Sequence, residues 1–294
     1  MRAHQVLAGF FVLLAAASVA LALRLSPEPF RVRGGLPRRI VANSPALAEI
    51  VYKIGAGNLV VARSRYAKFP PAILALPEVG GPFDPNYEAI STAKPDCLLV
   101  QFKKDVMEPF AASRGIRLEH FTIETIQDEL AATLRVGELT GHEREAQAEV
   151  ERLSGALAAA RARARTQPRV LVSFGREPGE IRSVETAGRR TFAMECLEAA
   201  GGTSAFADIE TGYKPVAKEA VVERRPEVVI ELHGDVVSAE LASRLVRDWE
   251  DELPDLPAVK NHRVVVVSHE AALTPGPRLD ELVAAFERAL RGSP

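Results

Sequence analysis

The chain has 294 residues, of which 47% are hydrophobic and 26% are charged, a composition typical of globular proteins with one large domain or two moderate ones. Its 37 lysines and arginines are balanced by 39 aspartates and glutamates, so no net basic charge would draw it to nucleic acid, which we exclude as a partner. The two cysteines are too few for a fold held together by disulfides.

The first feature along the chain is an export signal. Arg2 is followed by an apolar run from Val6 to Leu23 that contains no charged residue. The tripeptide Ala20-Leu21-Ala22 matches a cleavage motif, while the run approaches the length of a short membrane span. We therefore interpret residues 1–24 as a signal peptide, cleaved after Ala22, or as a retained N-terminal membrane anchor. Both interpretations predict an extracytoplasmic protein.

Short apolar runs then alternate with helical patterns bounded by proline and glycine. The pattern predicts strands at 39–43, 59–62, 97–100 and 118–123, and helices at 46–54, 86–93 and 105–113. Such alternation is typical of βαβ units around a parallel sheet. It predicts an N-terminal α/β lobe over residues 38–126.

The stretch from residue 127 to residue 166 is the most helical part of the sequence. It is rich in Ala, Glu, Arg and Leu and contains no proline. Within it Ala146, Val150, Leu153 and Leu157 recur at steps of four, three and four, which places them on one helix face. A helix over 142–165 would span roughly 36 Å, long enough to bridge two lobes.

The strand and helix alternation restarts after Pro168. It predicts strands at 169–174, 228–232 and 264–267, and helices at 191–200, 218–224 and 279–290. The fold class is therefore α/β, with two Rossmann-like lobes of mostly parallel strands joined by a single long helix, the second lobe covering 167–294. Since Cys97 and Cys196 then lie in different lobes, we expect both to be unpaired, buried thiols.

A series of short motifs occurs in order along residues 38–290. In the first half these are R39-I-V-A-N-S-P-A-L-A-E49, I54-G-A-G57, F69-P-P71, V79-G-G81, D84-P-N-Y-E88 and K94-P-D96. Weaker matches in the second half are F174-G175, A200-G-G202, K218-E-A-V-V222, R225-P-E-V-V-I230 and P277-R278. Together they resemble the periplasmic binding proteins that carry cobalamin, ferric siderophores or haem to ABC importers.

The resemblance implies a non-enzymatic, monomeric solute-binding protein with a ligand cleft between the lobes, at the carboxyl ends of the strands. Its partners would be the importer's membrane subunits and a small chelate ligand, and no further cofactor is expected. Glu88 and Glu219 match the family positions that dock each lobe onto arginine pockets of those subunits. Lipid-attached members carry a cysteine that this chain lacks, which implies free periplasmic residence or an uncleaved anchor.

Candidate ligand-binding residues follow the predicted strands. Aromatic side chains can sandwich a corrin, a porphyrin or a catechol chelate, and cations can pair with its anionic groups. Tyr66, Phe174 and Tyr213 match ligand-contacting positions of the cobalamin-binding member. The full set is Ser44, Tyr66, Phe83, Gln101, Lys103, Phe174, Arg176, Tyr213 and His269. An anionic ligand such as a ferric siderophore is favoured by the loop cations Arg63, Arg65, Lys68, Lys103, Lys104, Arg176 and Lys214.

Three alternatives stay open at this stage. A receptor for Zn²⁺ or Mn²⁺ would use His269 beside Glu270, although no two histidines have metal-ligand spacing, and we predict no metal site. An exported hydrolase would pair a serine such as Ser173 or Ser268 with His269, but no G-x-S-x-G motif is present. A purely structural, anchored protein would have its cleft filled by side chains.

Overall fold

The computed structural model describes residues 35–101, 104–165 and 167–292, without the side chains of residues 104 and 105. The predicted signal or anchor at residues 1–24 and the candidate Lys103 lie outside these residues. None of the helices in these described ranges combines the length and the apolar character that a membrane-spanning segment needs.

The predicted elements of the first lobe are confirmed, as β1 (Ile40–Ala42), α1 (Pro45–Lys53), β2 (Val60–Arg63), α2 (Tyr87–Ala93), β3 (Cys97–Val100), α3 (Lys104–Arg114) and β4 (Arg117–His120). The four strands form a parallel sheet in the order β2-β1-β3-β4. The central strands β1 and β3 are wholly buried because they are apolar and helices cover both faces of the sheet.

The linking region is a pair of helices, α4 (Ile126–Thr140) and α5 (Glu143–Arg163), where the sequence analysis expected one. Gly141 separates them because it adopts a left-handed conformation, with φ of 72°, that ends α4. The longer helix α5 crosses between the lobes: Ala146 belongs to the core of the first lobe, and Leu153 and Leu157 to that of the second. The predicted apolar stripe of α5 thus packs into the hydrophobic cores of both lobes.

The elements of the second lobe are β5 (Arg169–Phe174), β6 (Ser183–Ala187), α6 (Phe192–Ala199), β7 (Thr203–Ser204), β8 (Tyr213–Ala217), α7 (Lys218–Arg224), β9 (Val228–His233), α8 (Ala239–Glu252), α9 (Pro257–Lys260), β10 (Val264–Ser268) and α10 (Leu279–Arg291). They form a parallel sheet in the order β10-β9-β5-β7 and an antiparallel ribbon of β6 and β8. Cys97 and Cys196 are buried and unpaired, as predicted.

The ribbon and helix α8 were not predicted. Each ribbon strand exposes most of one face, so only the paired Val184 and Val216 give an apolar signal, too little to mark a strand. Half of the residues of helix α8 are charged, and it buries only Leu245 and Trp249, which lie one turn apart. The ribbon is the larger omission because it carries Tyr213 to the space between the lobes.

The two lobes repeat one local plan. Helices α2 and α7 both end on a left-handed residue, Lys94 (φ 47°) and Arg225 (φ 49°), followed by proline and an acidic residue. The Asp96 carboxylate accepts the Arg39 backbone N–H at 3.0 Å, just before β1. In the second lobe the Glu227 carboxylate accepts the backbone N–H at the start of β5 at 2.8 Å. Positions counted from these turns are therefore equivalent in the two lobes.

Candidate ligand-binding cleft

Two adjoining cavities lie between the lobes at the carboxyl ends of the parallel strands. The Tyr213 cavity measures about 310 Å³ and the Tyr66 cavity about 390 Å³. They share Pro45 at the start of α1 and Leu273 and Thr274 in the segment after β10, so both lobes contribute to one continuous cleft. This is where ligands bind in open α/β folds.

The Tyr213 cavity has mainly apolar walls, which include Ile123 and Phe192. Tyr213 is 42% exposed, and its ring stands edge-on to that of Phe174 with the ring centroids 5.1 Å apart. Burial, with a smaller contribution from the charge of Glu124, raises the pKa of Tyr213 to about 12. Tyr213 therefore offers the cavity a neutral aromatic face and a hydroxyl, and the buried Phe174 supports it from behind.

The Tyr66 cavity presents three partly exposed rings: Tyr66 (55%), Phe69 (36%) and Phe83 (64%). Tyr66 and Phe69 lie in the loop after β2, and Phe83 precedes α2. A Cβ atom added at Gly81 would lie 2.6 Å from the Tyr66 ring, so glycine at this position allows the ring to pack against the loop backbone. The cavity is therefore an aromatic surface of the kind that binds flat ligands.

The cations around the cleft are paired with carboxylates, which removes most of the sequence argument for an anionic ligand. The ion pairs are Arg63 with Glu78 (2.7 Å), Arg65 with Asp84, Lys68 with Asp235 (3.0 Å) and Arg278 with Glu49 (2.7 Å). Of the other cations in that argument, Lys214 is exposed, Arg176 lies elsewhere, and Lys103 and the side chain of Lys104 are outside the described part of the chain. Among the described residues, the two cations that line the cleft, Lys68 and Arg278, are therefore both paired with carboxylates.

One of these pairs joins the lobes beneath the Tyr66 cavity. Glu49 on α1 accepts two hydrogen bonds from the Arg278 guanidinium, at 2.7 and 2.9 Å, and both side chains are buried. The same guanidinium lies over the Phe69 ring at 4.1 Å and reaches Glu270 at 3.3 Å. Burial raises the pKa of Glu49, and Arg278 opposes that rise. Such a fixed contact favours a largely preformed cleft.

Arg176 was predicted to bind the ligand, and its position corrects that prediction. Its side chain is 8% exposed and lies inside the second lobe, where it contacts Glu231 at 2.8 Å and Asp248 at 2.9 Å. Glu231 also accepts the Trp249 indole N–H at 2.5 Å. Glu231 is fully buried in strand β9, so its carboxylate needs a counter-charge, which Arg176 supplies. The acidic residue within the apolar run 228–232 was the signal for this pairing.

Two further candidates, Ser44 and Gln101, are held in place by local hydrogen bonds. Ser44 is fully buried: its hydroxyl caps α1 and donates to Gln101 Oε1 at 2.7 Å. Gln101 lines the Tyr213 cavity and is fixed further by donating to the Ile123 carbonyl at 3.3 Å. Ser44 therefore positions Gln101 from behind and does not itself face the ligand space.

His269 turns towards α10. Its Nδ1 accepts the Ala271 N–H at 3.1 Å, its Nε2 lies 3.6 Å from Glu281, and burial lowers its pKa. The neighbouring Glu270 lines the Tyr66 cavity instead. Over the residues that the structure describes, no group of three or more His, Cys, Asp or Glu side chains is arranged to hold a metal ion.

Glu88 and Glu219 occupy equivalent places in the two lobes. Each is exposed and is the second residue of its helix, α2 or α7. Because these helices end just before the amino ends of β3 and β9, their first turns lie towards the edge of the sheets that bears the cleft. Neither carboxylate has a hydrogen-bond or ion-pair partner among the described side chains.

The segment after β10 was missed as part of the site. Leu273, Thr274 and Pro275 line the Tyr213 cavity, and the first two also line the Tyr66 cavity. The candidates predicted from the sequence end at His269 and Glu270, although a leucine before Thr-Pro follows shortly after the last strand. In the structure this leucine, Leu273, is exposed. This segment is the part of the second lobe that touches both cavities.

Known proteins resemble this chain in sequence. The sequence model of a family described as Periplasmic binding protein matches residues 40–271. An uncharacterized ABC transporter substrate-binding lipoprotein of Bacillus subtilis is 26% identical over 265 residues, which cover 86% of this chain and 80% of that protein. A vitamin B12-binding protein of Yersinia pestis is 28% identical over 197 residues, 65% of this chain and 68% of its own.

Solved structures share the fold. The crystal structure of a periplasmic heme binding protein from Pseudomonas aeruginosa superposes with a TM-score of 0.72 at 23% sequence identity, covering 88% of this chain and 95% of that one. The relatives' names point to different ligands, so the ligand of this chain has to be argued from its own cleft.

Proposed function

The chain belongs to the periplasmic binding protein family, and from that premise we propose that it is the extracytoplasmic receptor of an ABC importer and captures a flat, net-neutral corrinoid. Members of the family bind solutes and are not enzymes, so the serines near the cleft are given no catalytic role. Similarity to a substrate-binding lipoprotein and to a vitamin B12-binding protein supports the transport role and the ligand class.

The observation that carries the ligand class is an aromatic cleft in which the described lining cations, Lys68 and Arg278, are already paired with carboxylates. A corrin ring offers flat faces for Tyr66, Phe83 and Tyr213, and its amide side chains can exchange hydrogen bonds with neutral groups such as Gln101 and the Tyr213 hydroxyl. An anionic chelate would need an unpaired cation, because burying a charge without a partner costs several kcal/mol.

The other ligands that the family binds fit this cleft less well than a corrinoid does. A ferric siderophore with a net negative charge would find Lys68 bound to Asp235 and Arg278 bound to Glu49. Haem carries two propionates, and each would need a cation in a cleft whose described cations, Lys68 and Arg278, are already paired. A Zn²⁺ or Mn²⁺ receptor would depend on His269, which faces Glu281.

Calorimetry on the full chain in neutral detergent tests the ligand class with cyanocobalamin, haemin and a ferric tris-catecholate. We expect one-to-one binding of cyanocobalamin, weakened about tenfold or more by Tyr66→Ala or Tyr213→Ala, because each removes an aromatic wall. Tyr87→Ala is the matched control, since Tyr87 packs on Phe110, 4.7 Å between centroids, outside the cleft. Tight binding of the tris-catecholate without binding of the corrinoid would refute the proposed ligand class.

Delivery to the importer is proposed to use Glu88 and Glu219. Two exposed carboxylates, one on each lobe at the cleft edge, would fix the orientation of the loaded receptor on basic pockets of the membrane subunits. We expect the Glu88→Arg/Glu219→Arg variant to bind ligand normally and to lose uptake in cells about tenfold or more. The control is Glu185→Arg/Glu250→Arg, which reverses two other exposed carboxylates. Equal uptake by both variants would contradict this role.

A further inference from the structure

A third cavity, of about 590 Å³, lies at the opposite edge of the first lobe. It is formed where the chain enters β1, β3 and β4, so it sits at the amino ends of the strands and the cleft sits at their carboxyl ends. Five basic side chains and one acidic side chain line it: Arg38, Arg39, Lys94, Arg114, Arg117 and Asp96. We call it the basic pocket.

The basic pocket differs from the cleft in having cations that meet no carboxylate. Asp96 is occupied by the backbone N–H groups of Arg38 and Arg39, at 2.9 and 3.0 Å. Arg117 is paired with Glu119 at 2.6 Å. Among the described side chains, no carboxylate pairs with the remaining cations Arg38, Arg39, Lys94 and Arg114.

These cations are held in place by neutral groups. Arg39 donates to the carbonyls of Ala93 (2.6 Å) and Lys94 (2.9 Å) at the end of α2, which fixes the left-handed turn at Lys94. Arg114 lies over the Phe110 ring at 4.3 Å and donates to the Ser113 hydroxyl at 3.1 Å. Carbonyls, a hydroxyl and a ring orient the guanidinium groups and leave their positive charge in place.

The position of the apolar run in the sequence indicates which partner the basic pocket binds. Gly35, where the described chain begins, is part of the pocket wall, and the apolar run ends at Leu23. The eleven intervening residues, 24–34, include three more arginines and reach at most roughly 40 Å when extended. Where the apolar run is retained in a membrane, the basic pocket therefore stays within reach of lipid headgroups.

We infer that the basic pocket binds the phosphate of anionic phospholipid headgroups and holds the first lobe base-down on the membrane that bears the apolar run. Basic side chains near an anionic membrane surface are attracted to it, and the planar guanidinium group of arginine matches phosphate geometry. The inference goes beyond the proposed function and does not depend on which ligand the cleft takes. With the basic pocket on the lipid, Glu88, Glu219 and the cleft face away from the membrane. This is a resting orientation, and the pocket must leave the lipid before the receptor docks onto the importer.

The full chain in lipid nanodiscs tests this inference. An Ala112→Cys variant places a fluorophore on the exposed face of α3, and energy transfer to headgroup-labelled lipid reports its approach to the membrane. The native cysteines are buried and should stay unlabelled. We expect transfer to be about threefold higher in discs with phosphatidylglycerol than in discs of phosphatidylcholine, and to fall at high salt.

The matched variants decide the outcome. Arg38→Gln/Lys94→Gln/Arg114→Gln should abolish the response to phosphatidylglycerol and leave ligand binding in the cleft unchanged. The control removes three exposed arginines of the second lobe, Arg190, Arg244 and Arg247, and should keep the response. Equal transfer in both lipids, or an equal response of both variants, would overturn the inference. So would tight binding of inorganic phosphate in detergent together with no response to phosphatidylglycerol, because the pocket would then serve free phosphate.

Discussion

The cleft and the basic pocket occupy opposite edges of the same lobe, and they differ in what surrounds their cations. Around the cleft, Lys68 and Arg278 are paired with Asp235 and Glu49. In the basic pocket, Arg39 and Arg114 are oriented by carbonyls, a hydroxyl and a ring. A count of basic residues in the sequence favoured the cleft as the anionic site, whereas the partners in space favour the other edge. The comparison teaches that charge is available to a ligand only where the protein has not already neutralised it.

The largest effect is expected at Arg176, whose side chain is the least exposed among the paired cations of the described residues. Replacing it with alanine leaves Glu231 and Asp248 without their counter-charge inside the second lobe, so we expect the free energy of unfolding to fall by about 3–5 kcal/mol. Urea denaturation measures this loss. Ligand affinity of the folded fraction should be unchanged, since the guanidinium lies outside the cleft.

The control for this variant is Arg182→Ala, which removes an arginine from the exposed pair with Glu180 and should change stability little. A large loss of ligand affinity in Arg176→Ala with normal stability would return Arg176 to the ligand site and weaken the contrast between buried and available charge.

The ion pairs of Arg176 also show what could not be predicted from the sequence. The elements of the first lobe, the long helix and the two buried thiols could be predicted because each depends on local periodicity or on the position of apolar runs. The partner of Arg176 lies 55 residues further along the chain, and no local pattern joins the two. Tyr66, Phe83 and Gln101 were found because they follow strands, while Leu273 was missed because its segment follows the last strand through an extra turn.

The next effect concerns Glu129, a buried carboxylate that forms no ion pair with the described cations. Glu129 on α4 is fully buried, accepts a hydrogen bond from the Thr133 hydroxyl at 3.0 Å, and has a second oxygen with no hydrogen-bond partner among the described atoms. Burial raises its pKa to about 7. The folded state then holds a proton that the unfolded state releases near pH 4.5, so Glu129 lowers stability as the pH rises from about 4.5 to about 7.

We expect Glu129→Gln to stabilise the protein by about 2–3 kcal/mol above pH 7 and to change little below pH 4.5. Denaturation at a series of pH values measures this difference, with Glu138→Gln on the exposed face of α4 as the control. A change that is the same at every pH would mean that the pKa of Glu129 does not differ between the folded and the unfolded protein, and a loss of stability above pH 7 would mean that a cation pairs with its carboxylate.

The most direct test of the central claim compares two ligands that differ by a single charge. We would measure, by calorimetry on the full chain, the affinities for cyanocobalamin and for its monocarboxylic acid derivative, in which one side-chain amide is replaced by a carboxylate. A cleft with paired cations predicts tighter binding of the neutral amide form, by about tenfold, since the carboxylate would be buried without a counter-charge. Equal or tighter binding of the carboxylate, or binding of neither form, would contradict the account.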